Sequence, residues 1–264
     1  MRVSASGGGS ASSSCEDRRD LLRSPAVRGG VRLPGGPQVV FVAAWIIAGA
    51  LEPGYSPVRS YVSELGRRGA AHPWIFDVSI VVWGAGFIAL GVALAPTLRT
   101  RRWAWVAPAL FVLAGVCAML DAPLRLDCAT TISHICRARE KAGLLSWREY
   151  GHIWASFGIE LSLLLTPFAL ARSLWPSRLA RLVLLGAAFV VIALALLAGL
   201  GGWIGAHSPY SWHAGLWQRF WLMVVHGWVL LCATALIFEA SHGWPPARRQ
   251  QPAPGLDDAL ASQA

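Results

Sequence analysis

Long runs with no charged residue alternate along this chain with short breaks rich in arginine, proline or glycine. Six apolar segments stand out, at about 37–53, 74–96, 103–121, 151–174, 179–204 and 217–240. About 20 apolar residues in a helix rising 1.5 Å per residue cross a ~30 Å hydrocarbon layer. The pattern therefore predicts an all-α fold, a polytopic bundle of six transmembrane helices within residues 36–242. The first segment is the shortest, because Glu52 and Pro53 close it.

Composition strengthens this expectation. Of 264 residues, 55% are hydrophobic and only 14% are charged. Soluble domains carry roughly 25% charged residues, so this chain lacks the charge to coat a water-facing surface. Many of its 14 tryptophans stand at the ends of apolar segments, among them Trp74, Trp103, Trp175, Trp203, Trp217 and Trp244, where indole rings favour the headgroup layer. The net charge of +9 does not point to nucleic acid, because the basic residues sit between apolar runs rather than along one polar face.

Those basic residues orient the bundle instead. Fourteen Lys and Arg fall in the N-terminal tail, the loop Arg99–Arg102, the loop Arg172–Arg181 and the C-terminal tail, and nine in the longer loops of the opposite side. Short basic loops resist translocation, so both termini are expected in the cytoplasm of a cell, with a bacterial plasma membrane as the expected location. Residues 1–35, with GGGSASSS among six arginines, and 243–264, with PPARRQQPAPG, read as disordered tails, and the first of these has no apolar core of a signal peptide. Cys128 and Cys136 lie on the expected outer side, eight residues apart, where a disulfide can form; Cys117 and Cys232 read as small packing residues inside helices.

The most distinctive stretch is the first outer loop, EPGYSPVRSYVSELG from Glu52 to Gly66, followed by His72-Pro-Trp74. Pro53, Gly54 and Pro57 stop the helix. Ser60 is placed to cap a short turn in which Tyr61, Val62 and Leu65 meet the membrane while Ser63 and Glu64 face a polar neighbour. This loop, an acidic residue closing the third segment (Asp121, then Asp127-Cys128), the histidine in EYGHIWASF and the GLWQR opening the sixth segment resemble the bacterial membrane proteins catalogued as domain-of-unknown-function family 998, relatives of the Frag/DRAM/Sfk superfamily. The resemblance covers most of residues 37–240 and implies six helices without an established reaction. Eukaryotic relatives of that superfamily are linked to lipid organisation and membrane trafficking. The charged connection 122–150 is long for a plain turn.

Depth identifies the residues that can carry chemistry. Glu52, Asp77 and Asp121 lie at the outer ends of the first three helices. Glu160 stands eight residues, about 12 Å, below His152, and His226 stands seven residues, about 10 Å, below Arg219. Glu160 and His226 thus share a depth. Arg219 and His226 share a helix face, with Met223 between them. A charge inside a span costs ~2.5–3.5 kcal/mol, so such groups should face the bundle interior and find partners.

These placements predict a polar cup open to the outer leaflet, with Glu160 and His226 near its floor and Tyr55, Ser63, Glu64, Asp77, His152 and Gln218 as ligand contacts. The leading expectation is a protein that binds or organises membrane lipid or another amphiphilic small molecule there. A second is a membrane-embedded enzyme acting on a lipid or isoprenoid by acid–base chemistry through Glu160, His226, Asp121 and Arg219. A third is a proton-coupled transporter of small solutes. The plainer alternatives stay open: a Glu160–His226 contact that only fixes helix register, local capping by Ser63 and Glu64, and interfacial anchoring by Tyr55 and Tyr61. No metal is expected, because His134, His152, Asp121 and Asp127 lack the HxxxH or HExxH spacing that puts two ligands on one helical face. No phosphate loop, dinucleotide fingerprint, nucleophile elbow or CxxC appears, and no cofactor is expected.

Overall fold

The computed structural model describes residues 35–98, 103–207 and 213–242. The expected tails, Cys15, Trp244 and the basic residues Arg99–Arg102 lie outside the described residues. Among the described residues seven helices follow in order: α1 Gly36–Leu51, α2 Pro73–Leu98, α3 Val106–Asp121, α4 His134–Lys141, α5 Trp147–Leu174, α6 Arg178–His207 and α7 Ala214–His242. One 3₁₀ turn, Ser63–Gly66, sits between α1 and α2, and the described residues contain no strand. Each of the six apolar segments falls on a helix. The seventh, α4, is a short helix inside the connection between α3 and α5, the charged stretch too long for a plain turn.

Among the described residues, three helices are long and apolar enough to cross a membrane: α2 over Pro73–Pro96, α5 over its whole length, and α7 over Ala214–Ala235. α1 and α3 are apolar but only 16 residues long, or about 24 Å. The surface fits a lipid environment. Val39, Ile46 and Ile47 on α1, Phe157 and Leu165 on α5, Leu185, Phe189 and Ile192 on α6, and Phe220, Met223 and Leu231 on α7 are all exposed. An apolar belt of this extent is incompatible with a water-facing monomer. Exposed Trp74, Trp147 and Trp154 lie toward one end of the bundle, and Trp103, Trp105 and Trp175 toward the other, as headgroup layers favour. The protein is a helical membrane protein.

Its core is built around α3, which lies between α2 and α5, with α1 packed on α2, α6 on α5, and α7 against α2, α5 and α6. The buried line Ala107, Phe111, Ala114, Ala118 repeats every three to four residues, the period of one helix face. Close approach of α2 and α3 depends on small residues: a Cβ added to Gly115 would lie 2.4 Å from the Gly84 carbonyl oxygen. On α6, the Trp228 ring occupies the space a side chain at Gly186 would need, so α6 and α7 pack closely there.

The helix ends sort the polar residues. The C-termini of α1 and α3 and the N-termini of α2, α5 and α7 meet at one end, tied together by loop residues 52–72 and 122–146. We call this the capped end.

Candidate functional site

At the capped end four carboxylates each hold two chain segments together. Glu52, buried where α1 stops, accepts from Arg67 Nη2 at 2.5 Å and from the Ala71 backbone N–H at 2.7 Å, which folds the loop back on its own start. Glu64 is buried in the 3₁₀ turn and accepts from the Thr131 backbone N–H at 2.9 Å and from the Thr131 hydroxyl. Burial pushes its carboxyl above the ordinary value, and the Thr131 hydrogen bonds oppose that only in part. Asp127 accepts from the Ser146 N–H at 2.6 Å and the Ser146 hydroxyl at 2.7 Å, with Arg68 3.7 Å away. Burial raises the Asp127 carboxyl, but the Ser146 bonds and the charges of Arg68 and Arg139 outweigh it and hold it below its usual value. Ser146 thus gives its hydroxyl to Asp127 rather than to the first turn of α5, and buried Glu149 on α5 accepts from the Asp127 N–H at 2.6 Å.

The connection carrying Thr131 is itself fastened. Cys128 and Cys136 are joined by a disulfide, with Cα atoms 6.0 Å apart. Ser133 Oγ accepts from the Cys136 N–H at 3.2 Å to cap α4, and Gly143, at φ 68°, ends that helix in the left-handed conformation glycine favours.

Arg219, in the first turns of α7, pulls the first loop onto the bundle. Its Nη1 donates to the carbonyls of Pro57 (2.6 Å), Ser60 (3.0 Å) and Gly215 (2.9 Å), its Nη2 donates to the Tyr55 hydroxyl, and Gln218 accepts from the Val62 N–H at 2.6 Å. The approach is so close that a Cβ on Gly215 would lie 2.1 Å from the Ser60 carbonyl oxygen. This pinning overturns two expectations. Val62 and Leu65 are each 1% exposed and belong to the core, not the membrane surface; Tyr61 alone of the three is exposed. Ser60 does not cap the turn, and its hydroxyl instead accepts from the Ser56 N–H at 3.3 Å.

Deeper in the bundle, Glu160 and His226 come together. Glu160 Oε1 lies 3.3 Å from His226 Nε2, and Glu160 Oε2 accepts from Trp221 Nε1 at 2.7 Å. The His226 ring is fully buried, 4.5 Å from the Trp83 ring and 6.2 Å from Phe87, and neither ring nitrogen is aligned for a hydrogen bond. Met223 is exposed, so it does not lie between Arg219 and His226 as expected; Leu222 occupies the inward position. A second acid–histidine contact sits higher, where Asp121 Oδ1 approaches His152 Nδ1 at 3.2 Å and Asp121 Oδ2 accepts from Ser156 at 3.2 Å, all between α3 and α5.

The residues singled out from sequence therefore do not form one constellation. Glu160 and His226 meet, but Asp121 pairs with His152, and Arg219 is spent on loop carbonyls. Of the candidate ligand contacts, Tyr55, Glu64, Asp77, His152 and Gln218 each have an internal partner, Asp77 through Arg125, and Ser63 is half-buried in the turn. Among the described residues no three His, Cys, Asp or Glu cluster to hold a metal.

A groove of about 620 Å³ at the capped end is lined by Arg68, Arg125 and Arg148 together with Leu120, Leu124 and Trp147. Sequence reasoning missed it because these residues come from three separate stretches; the Trp147-Arg148 pair at the start of α5 was the one local signal, and here the guanidinium lies 5.5 Å over the indole ring.

An apolar-surfaced helical bundle with most of its described carboxylates gathered at one end is an integral membrane protein of the multi-pass kind. Residues 38–235 match the family model described as protein of unknown function (DUF998), and the chain belongs to that family. No curated protein and no solved structure matches it.

Proposed function

We propose that this is a six-span plasma-membrane protein with both termini in the cytoplasm and the capped end outside, and that it binds a membrane lipid or similar amphiphile at the capped end. Six spans follow if α1, α2, α3, α5, α6 and α7 all cross, the two 16-residue helices doing so in a locally thinned bilayer. The distribution of basic residues, fourteen against nine, supports the orientation. The disulfide in the connection between α3 and α5 agrees with an oxidising outer compartment.

The observation that carries the binding reading is the groove. It sets guanidinium groups beside aliphatic and indole surface at the level where exposed tryptophans mark the headgroup layer. That mixture suits a molecule that is polar at one end and hydrocarbon at the other. The Glu160–His226 pair favours the register-fixing reading over acid–base chemistry, because His226 is sealed under Trp83 and Phe87 and offers no face to a substrate.

Native mass spectrometry of the protein purified in mild detergent tests the proposal. Bound lipid should be retained by the wild type and lost on Leu120→Ser with Trp147→Ala, two exposed positions whose change leaves the core intact. Absence of any retained or stabilising lipid would sink it. Turnover of an added lipid that stops with Glu160→Gln would establish the enzyme instead.

A further inference from the structure

We propose that the groove selects an anionic headgroup, taking the phosphate of a phospholipid-type amphiphile between Arg68, Arg125 and Arg148 while the chain lies along Leu120 and Leu124. This rests on the amphiphile-binding reading above and adds the sign and chemistry of the headgroup.

Three arginines from different parts of the chain converge on the groove: Arg68 from the stretch before α2, Arg125 from the connection after α3, and Arg148 from the first turn of α5. No acidic residue lines it. Two of the guanidiniums are braced from behind by carboxylates, Arg68 by Asp127 at 3.7 Å and Arg125 by Asp77, yet their side chains stay 48% and 40% exposed. A guanidinium carries five N–H donors, so a single carboxylate neighbour leaves most of them for a ligand. Arg148 makes no ion pair among the described residues and rests on the Trp147 ring, so the lining keeps an uncompensated positive charge.

Phosphate fits this arrangement because planar N–H forks bind its oxygens in pairs. A zwitterionic headgroup would bring its own cation beside three arginines. A free inorganic anion would leave the Leu120, Leu124 and Trp147 surface unused. The amphiphile with an anionic head is the occupant that uses both halves of the lining.

The experiment presents the full-length protein, in mild detergent, with an equimolar mixture of phosphatidylglycerol and phosphatidylcholine of identical chains, and counts retained lipid by native mass spectrometry. Wild type should favour phosphatidylglycerol by about tenfold, the effect of one charge-assisted contact. Arg148→Gln, at an exposed position, should bring the ratio near parity with an unchanged melting temperature, and Arg148→Lys should retain most of the preference. Arg59→Gln, an exposed arginine of the first loop that does not line the groove, should leave the ratio untouched. Equal retention of both lipids by wild type overturns the anionic assignment and leaves amphiphile binding standing. Retention of neither overturns both. An equal loss of preference with Arg59→Gln assigns selectivity to general surface charge, and displacement of phosphatidylglycerol by millimolar inorganic phosphate alone assigns the site to a free anion; either overturns the proposal.

Discussion

Four carboxylates of the capped end and the one at mid-depth find their partners in different ways. Glu52, Glu64, Asp127 and Glu149 all accept backbone N–H groups, Glu64 from the opposite loop and the other three from a segment about 20 residues away, so each one closes a piece of loop. Glu160 touches only side chains, Trp221 and His226, and both belong to α7. The difference follows from what surrounds each group. Loops carry unpaired backbone donors that must be satisfied, whereas the helices at mid-depth have spent their backbone groups on themselves and leave only side chains to meet a buried acid. A carboxylate in the cap therefore determines whether a loop has a structure; the one at mid-depth only determines how α5 and α7 align.

The largest test of this contrast is Glu64→Ala. It leaves the Thr131 N–H and hydroxyl unpaired in a buried site and opens a cavity, which should cost about 3 kcal/mol of stability. Glu64→Gln keeps an acceptor, and because burial favours the uncharged carboxyl, it should recover most of the loss. The melting temperature by intrinsic tryptophan fluorescence in detergent reads both. If alanine proves harmless, the cap is not held through this carboxylate.

Next in size is the Cys128–Cys136 bridge, which closes a short loop around Thr131. Replacing both cysteines with serine should cost about 2–3 kcal/mol by the loop-entropy argument. Combined with Glu64→Ala the loss should be less than the sum, since both changes release the same segment. Strict additivity would show that the bridge and the Glu64–Thr131 contact act on separate elements. At mid-depth, Glu160→Gln retains an acceptor for Trp221 and should cost about 1 kcal/mol or less. A cost as large as that of Glu64→Ala would mean that the mid-depth pair needs its charge and is more than an alignment device.

How far the sequence could be read depends on the same distinction. Helical segments are legible because hydrophobic runs are local, and the meeting of Glu160 with His226 was legible because a fixed rise per residue converts position in a span into depth. The cap was not. Thr131 meets Glu64 across 67 positions, through a connection with no periodic pattern, and nothing in either local string announces the other. Val62 and Leu65 read as membrane-facing because their surroundings look like an interfacial turn; they enter the core because Gln218 and Arg219, over 150 residues later, pin that turn onto α7. Met223 was assigned inward by a spacing of four, one position away from Leu222, which the helix in fact turns in. The groove was invisible for the same reason as the cap: its arginines share no stretch of chain.

The smallest effect separates two carboxylates within the cap itself. Asp127 is held below its ordinary value of 3.8, so it contributes stability above that value and loses it as pH falls through the lowered one. Glu64 is pushed above its ordinary 4.5, so the sign reverses: its contribution is present below that value and is lost as pH rises through the raised one. Acidifying from neutral pH should therefore first raise the melting temperature slightly, as Glu64 takes up its proton in the fold, and then lower it once Asp127 begins to lose its charge. Glu64→Gln should shrink the initial rise and leave the later fall; Asp127→Asn should blunt the fall and leave the rise. The two variants act on bonds to different segments, Thr131 in one case and Ser146 in the other, so their effects on the pH profile should be separable. A profile that falls monotonically from neutral pH in the wild type, or that both variants alter alike, would show that the two loops do not respond to pH through these separate bonds.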